Sequence, residues 1–218
     1  MKYAFAIFFA FLCNASLAQN KFNPVLKRQL DSIYTLDQKY RAILSDLMTP
    51  GKADSVAKAN NSTPATLMNK YSAMQGELDT LNTIFVEKIF ARYSYPGKSL
   101  VGGQTQSVAF MVIQHSKKIP IYISLIKNAA EHGELPFLNY AYMIDRYLMF
   151  AGKEQLYGTQ AACRNLKTGK NECFIWPVKD AKNVNTLRKM AGFENTVEDN
   201  AKNLDIVYRV ITLDEIKL

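Results

Sequence analysis

TPATLMNKYSAMQGELDTLNTIFVEKI, residues 63–89, decides the fold class. Thr63 stands where a helix N-cap belongs, and Pro64 follows at the first helical position, where its missing N–H costs nothing. Leu67, Tyr71, Met74, Leu78, Leu81, Phe85 and Ile89 then recur at spacings of three and four, the signature of one apolar helix face. The segment Tyr93-Ser94-Tyr95-Pro96-Gly97 breaks the pattern. A long helix is therefore predicted from Pro64 toward Tyr93.

Upstream, Phe22–Met48 has the same period through Leu26, Leu30, Ile33, Tyr40, Leu44 and Leu47. Thr49–Thr63 is rich in Gly, Ala, Ser, Asn and Lys and is expected to be a loop. Downstream, Val108, Met111, Val112 and His115 share one face after Gly102-Gly103. That apolar run also suits a buried strand, with helix preferred. Pro120 opens a further helix closed by Gly133, and Pro136 opens another that Gly152 closes. Gln155–Cys163 and Glu172–Val178 are expected to be the strands of a hairpin. Two short helices near Val184–Ala191 and Val197–Arg209 complete the chain. The class is mainly α: a multi-helix single domain, 19–218, with a C-terminal β-hairpin near 155–178.

The first residues give an address. Lys2 precedes an unbroken apolar run from Tyr3 to Leu12, and Ser16 and Ala18 occupy the small-residue positions of a cleavage site. A secretory signal peptide over 1–18 is expected, leaving Gln19 first and sending the protein to a periplasmic or extracellular place. The run is too short to span a bilayer, which takes ~20 apolar residues. A lipid anchor on Cys13 is disfavoured because Leu12 stands where a small residue is needed.

Cys163 and Cys173 are the cysteines of the mature chain. Lys167-Thr168-Gly169 suits a three-residue hairpin loop with Gly169 left-handed. Counting outward from it places Cys163 opposite Cys173 in a non-hydrogen-bonded pair, where Cα atoms come within about 4.5 Å. A disulfide is expected, and the compartment allows it. Zinc binding by this pair lacks the spacing and a nearby histidine.

The chain carries a formal charge of +8. Between Cys163 and Phe193, seven basic residues stand against two acidic ones. Such a patch suits a solvated surface or an acidic small molecule or glycan. No nucleic-acid motif is present, nor a P-loop, GxGxxG, HExxH or nucleophile elbow. No metal, cofactor or transmembrane segment is expected, and the oligomeric state is left open.

Three polar residues stand where apolar ones were due. Asp145 lies mid-face between Ala141 and Leu148, Asp37 interrupts the first helix's stripe, and His115 ends the stripe of its own. A buried carboxylate is costly unless paired. Arg41, one turn after Asp37, is a ready partner. His115 and Asp145 are the candidate catalytic pair, a general base and the carboxylate that would fix its tautomer. Arg146, Gln155, Tyr157, Gln160, Asp37 and Arg41 are the candidate ligand-binding residues. His132, just before Gly133, reads as a helix C-terminal residue.

Ser99-Leu100-Val101-Gly102, Gln114-His115, Ala141-Tyr142, Asp145-Arg146, Gly152, Gln155 and Tyr157-Gly158-Thr159-Gln160 resemble the QH…AYxxDR…GxxQxYGTQ signature of a bacterial family of unknown function. Asp37-Gln38 with Arg41, and Asp79 with Asn82, extend the likeness to most of the mature chain. The chain departs from the family pattern at Lys117, where an acidic residue is common, and at Ser94-Tyr95-Pro96. The resemblance implies relatives rather than an activity. The residues themselves favour a binding module for a polar small ligand or glycan. The alternatives are a hydrolase with His115 as general base and a structural or partner-binding protein.

Overall fold

The computed structural model describes residues 22–49 and 51–217. The expected signal peptide and its cleavage site lie outside the described residues. Helix α1, Pro24–Met48, starts under Asn23, whose Oδ1 accepts the Leu26 N–H at 3.0 Å. Helix α3, Pro64–Tyr93, starts under Thr63 in the same manner. The two long helices pack along each other. The expected loop between them holds a short helix instead, α2, Lys52–Ala59. Two features explain it. Asp54 and Lys58 suit its helix dipole, and Ala57 seals a small core with Leu47 and Leu67. Eight residues with one buried alanine leave no readable period.

Helix α4, Lys98–Val101, leads to α5, Val108–Gln114, which takes the helical form of its apolar run. Helix α6, Ile119–Glu131, and helix α7, Phe137–Phe150, form an adjacent pair. Val86, Phe90, Phe110, Ile113, Ile126 and Met143 make the main core between α3, α5, α6 and α7. Leu26, Leu30, Ile89 and Val101 make a second core beneath α1. His132 caps α6, with Nδ1 2.8 Å from the Asn128 carbonyl.

Strand β1, Ala161–Asn165, pairs antiparallel with β2, Asn171–Ile175, and Cys163 lies opposite Cys173. Their Cα atoms are 3.9 Å apart and the sulfurs are bonded. Gly169 has φ 86°, so the turn uses the left-handed residue that the loop sequence requires. The hairpin is shorter than expected. Gln155 touches Val178 only through an isolated bridge, and residues 156–160 form no strand. The N–H groups of Leu156, Tyr157, Thr159 and Gln160 donate to side chains instead, and Gly158 has φ 65°. Gln155, Tyr157 and Thr159 therefore do not line one face of a strand.

Helix α8, Val184–Met190, and helix α9, Val197–Asn203, follow. Helix α9 stops well before Arg209 because Asp205 turns left-handed, φ 56°, and the chain extends toward buried Ile211. The C-terminal segment then runs beside the hairpin, where Leu166, Phe174, Trp176, Ile211 and Ile216 form a third core. Among the described residues, no helix is long and apolar enough to cross a membrane.

Candidate functional site

The middle of α3 differs from its expected stripe. Leu81 is 58% exposed, while Gln75, Asn82 and Thr83 are buried. The inward face is polar here because it meets Asp37 and Arg41 of α1. Arg41 grips Asp37 with both arms of its fork, at 2.9 and 3.0 Å, and reaches Asp79 at 2.6 Å. Gln75 Nε2 donates to Asp37 at 3.1 Å and to Asp79 at 2.7 Å. Gln38 Nε2 adds a bond to Asp37 at 2.9 Å. One guanidinium thus bridges two carboxylates in a fixed plane. Burial pushes the Asp79 carboxyl above its ordinary range; Gln75 and Arg41 oppose the rise, and the Asp37 charge adds to it. Among the described residues, Gln75 Oε1 and Asn82 Nδ2 are buried without a hydrogen-bond partner.

This network borders an open cleft of about 380 Å³ between α3 and the turn joining α5 to α6. Asp79, Thr80, Thr83 and Glu87 line one wall; His115, Ser116, Lys117 and Lys118 line the other. Lys118 pairs with Glu87 at 2.9 Å, and the Tyr122 hydroxyl donates to the same carboxylate at 3.0 Å. A more apolar recess of about 300 Å³, lined by Pro120, Tyr147 and Phe150, adjoins it through Ser116 and Lys117. His115 is the C-cap of α5, and its ring makes no hydrogen bond among the described residues. Burial first, then the Arg41 and Arg146 charges, push its pKa down to about 4, against a smaller pull from Asp37. The residue as a whole is exposed, which tempers the desolvation. The two neighbouring guanidiniums also disfavour a charged ring, so the imidazole is neutral at pH 7.

Asp145 lies on the inward face of α7 and is fully buried. Its Oδ1 accepts the Leu156 N–H at 2.7 Å and its Oδ2 the Thr159 N–H at 3.0 Å, while the Tyr157 N–H reaches both oxygens at 3.1 Å. Burial raises its pKa, and these donors pull it back. Gln155 is as fully used. Its Nε2 donates to the Gln160 and Trp176 carbonyls at 3.0 and 2.7 Å, and its Oε1 accepts the Gln160 N–H at 2.9 Å. Both side chains hold the 155–160 loop in place of a ladder. Arg188, 1% exposed, locks the loop from below by donating to the Tyr157 carbonyl at 2.8 Å and to Asn195. The Tyr157 and Tyr142 rings each pack against Phe193.

The expected site residues therefore fall into two connected groups. His115 lines the cleft, and the Arg41, Arg146 and Asp37 charges lie close enough to act on its ring. Asp145, Gln155 and the Tyr157 backbone form the loop network, and no hydrogen bond joins His115 to Asp145. Arg146 links the two groups, its Nε donating to Gln160 Oε1 at 3.3 Å and its Nη1 to the Gln114 carbonyl at 3.1 Å. Sequence reasoning missed Gln75 and Arg188. Gln75, Asp79 and Asn82, at spacings of four and three, were the available signal for a polar helix face. Arg188 gave none, standing within a basic stretch read as surface.

A family model described as "Family of unknown function (DUF6624)" matches residues 24–211, and the chain belongs to that family. No curated protein and no solved structure matches it.

Proposed function

We propose that this family member binds a small polar ligand, of the size and hydrogen-bonding character of a sugar, in the cleft between α3 and the 115–118 turn. One observation carries the reading: the pre-oriented Arg41–Asp37–Asp79 network reaches an open cleft through Asp79. The side chains of Arg41 and Asp79 keep 24% and 27% of their surface exposed. A recess of about 380 Å³ lies within the usual range for small-molecule sites. Fixed donors and acceptors at its edge supply direction, and the adjoining Pro120, Tyr147 and Phe150 surface supplies apolar contact for a ring. The test is a thermal-shift screen of sugars, sugar acids, amino acids and nucleosides on the mature protein. Thr80→Arg puts a bulky side chain on the exposed cleft wall, where Asp79 and Glu87 also lie. A hit should be lost in that variant while its own melting temperature stays unchanged. Hits that all survive Thr80→Arg would contradict the reading.

A hydrolase with His115 as base is the second reading, supported by a neutral, exposed imidazole at the cleft. Asp145 is turned to backbone donors, so water would be the nucleophile and His115 would act without that carboxylate. Turnover of a bound hit that disappears in His115→Gln, with affinity kept, would establish it. Export is supported by the disulfide and the N-terminal sequence. The intact mass of protein recovered from the cell envelope should begin at Gln19.

A further inference from the structure

Among the described residues, Arg146 is a half-buried guanidinium with no carboxylate partner. Among the described residues both its partners, Gln160 Oε1 and the Gln114 carbonyl, are neutral, and its Nη2 makes no hydrogen bond. Asp145, its chain neighbour, directs both oxygens at the backbone of 156–159. Arg41 has two carboxylates of its own. Buried Arg188 fills its whole fork with neutral acceptors, whereas Arg146 leaves Nη2 open. The bond to Gln114 holds the Arg146 guanidinium against the residue before His115, whose side chain lines the cleft.

We propose that Arg146 and His115 together seat an oxyanion of the bound ligand, a phosphate, sulfate or carboxylate group. The proposal rests on the binding reading above and names the ligand's charged part. The guanidinium offers unused N–H donors, and a protonated imidazole offers two more. The charges facing His115 are Arg41 and Asp37 from α1 and Arg146 from α7. Asp79 and Glu87 from α3 and Lys117 and Lys118 from its own turn line the same cleft, and Lys118 is already paired with Glu87. Without an anion, burial and then the two guanidiniums keep the ring neutral. An oxyanion offsets them and lets the ring take a proton. The coupling is reciprocal, so the anion binds more tightly as the pH falls.

The chain has two histidines, so both ring titrations can be followed by NMR on the mature protein. Sulfate and trifluoroacetate, which stay ionised throughout, are compared with chloride at equal ionic strength. They separate a tetrahedral from a planar oxyanion. At least one should raise the His115 midpoint by about one unit, a tenfold coupling, and leave His132 unmoved. Arg146→Gln should abolish the rise. If that variant is unfolded by circular dichroism, Arg146→Lys keeps the charge but loses the fork, and should weaken anion binding at least threefold. The proposal is overturned if neither anion moves His115, if both histidines move alike, if the rise survives Arg146→Gln, or if Arg146→Lys binds as wild type. A neutral sugar that still binds while both anions are silent overturns the oxyanion seat and leaves the binding reading standing.

Discussion

Asp145→Asn replaces one of two carboxylate oxygens with an amide nitrogen of nearly the same shape. Both oxygens are occupied, Oδ1 by Leu156 at 2.7 Å and Oδ2 by Thr159 at 3.0 Å, with Tyr157 across the two. Whichever way the new amide turns, its NH₂ faces a backbone N–H. One buried donor is then left without an acceptor, a loss of about 1–3 kcal/mol. The remaining bonds fall from charge-assisted to neutral strength, roughly 1 kcal/mol each. Relief from burying a charge offsets part of this. The net destabilisation should be about 3 kcal/mol, which for a domain of this size lowers the melting temperature by roughly 6–12 °C. Calorimetry measures the shift. Hydrogen exchange at the Leu156 and Thr159 amides locates it, and both should exchange faster. A melting temperature within about 2 °C of wild type, with both amides still protected, would refute the assignment of Asp145 to the loop.

Gly158→Ala should cost about 2–4 kcal/mol in urea unfolding, because φ is 65° and a Cβ would meet Val197 Cγ2 at 2.6 Å. Cys163→Ser with Cys173→Ser opens a loop of sequence separation 10 and should lower stability by about 2.5–3 kcal/mol without changing ligand binding. Two thiols that alkylate without reduction would instead show that the bond does not form. His115 gives a pH signature. Its folded pKa is about 4 against 6.5 for an ordinary histidine, so the unfolded chain binds the extra proton between those values. Stability should fall as the pH drops from 6.5 toward 4, and His115→Gln should flatten that part of the curve.

The long helices were legible because their caps and apolar spacing are local. The hairpin register was legible because Lys167-Thr168-Gly169 fixes the turn and the turn fixes the pairing. The 155–160 segment was not. Its conformation is set by a carboxylate on α7, ten residues before Gln155, and no local rule carries that information. Asp37 with Arg41 could be paired from sequence because they stand one turn apart. Their meeting with Gln75 and Asp79 depends on how α1 packs on α3. The same tertiary effect misled the reading of α3: its apolar residues were counted, while Gln75 and Asn82 hold the inward positions.

The most direct test of the proposed binding cleft is an amide chemical-shift map of residues 19–218 with the tightest ligand from the screen. The largest changes should cluster at Asp79–Glu87 and Gln114–Lys118, with the Arg146 side-chain signal moving and the hairpin silent. Changes confined to the hairpin or the C-terminal segment, with His115 and Asp79 unmoved, would contradict the account.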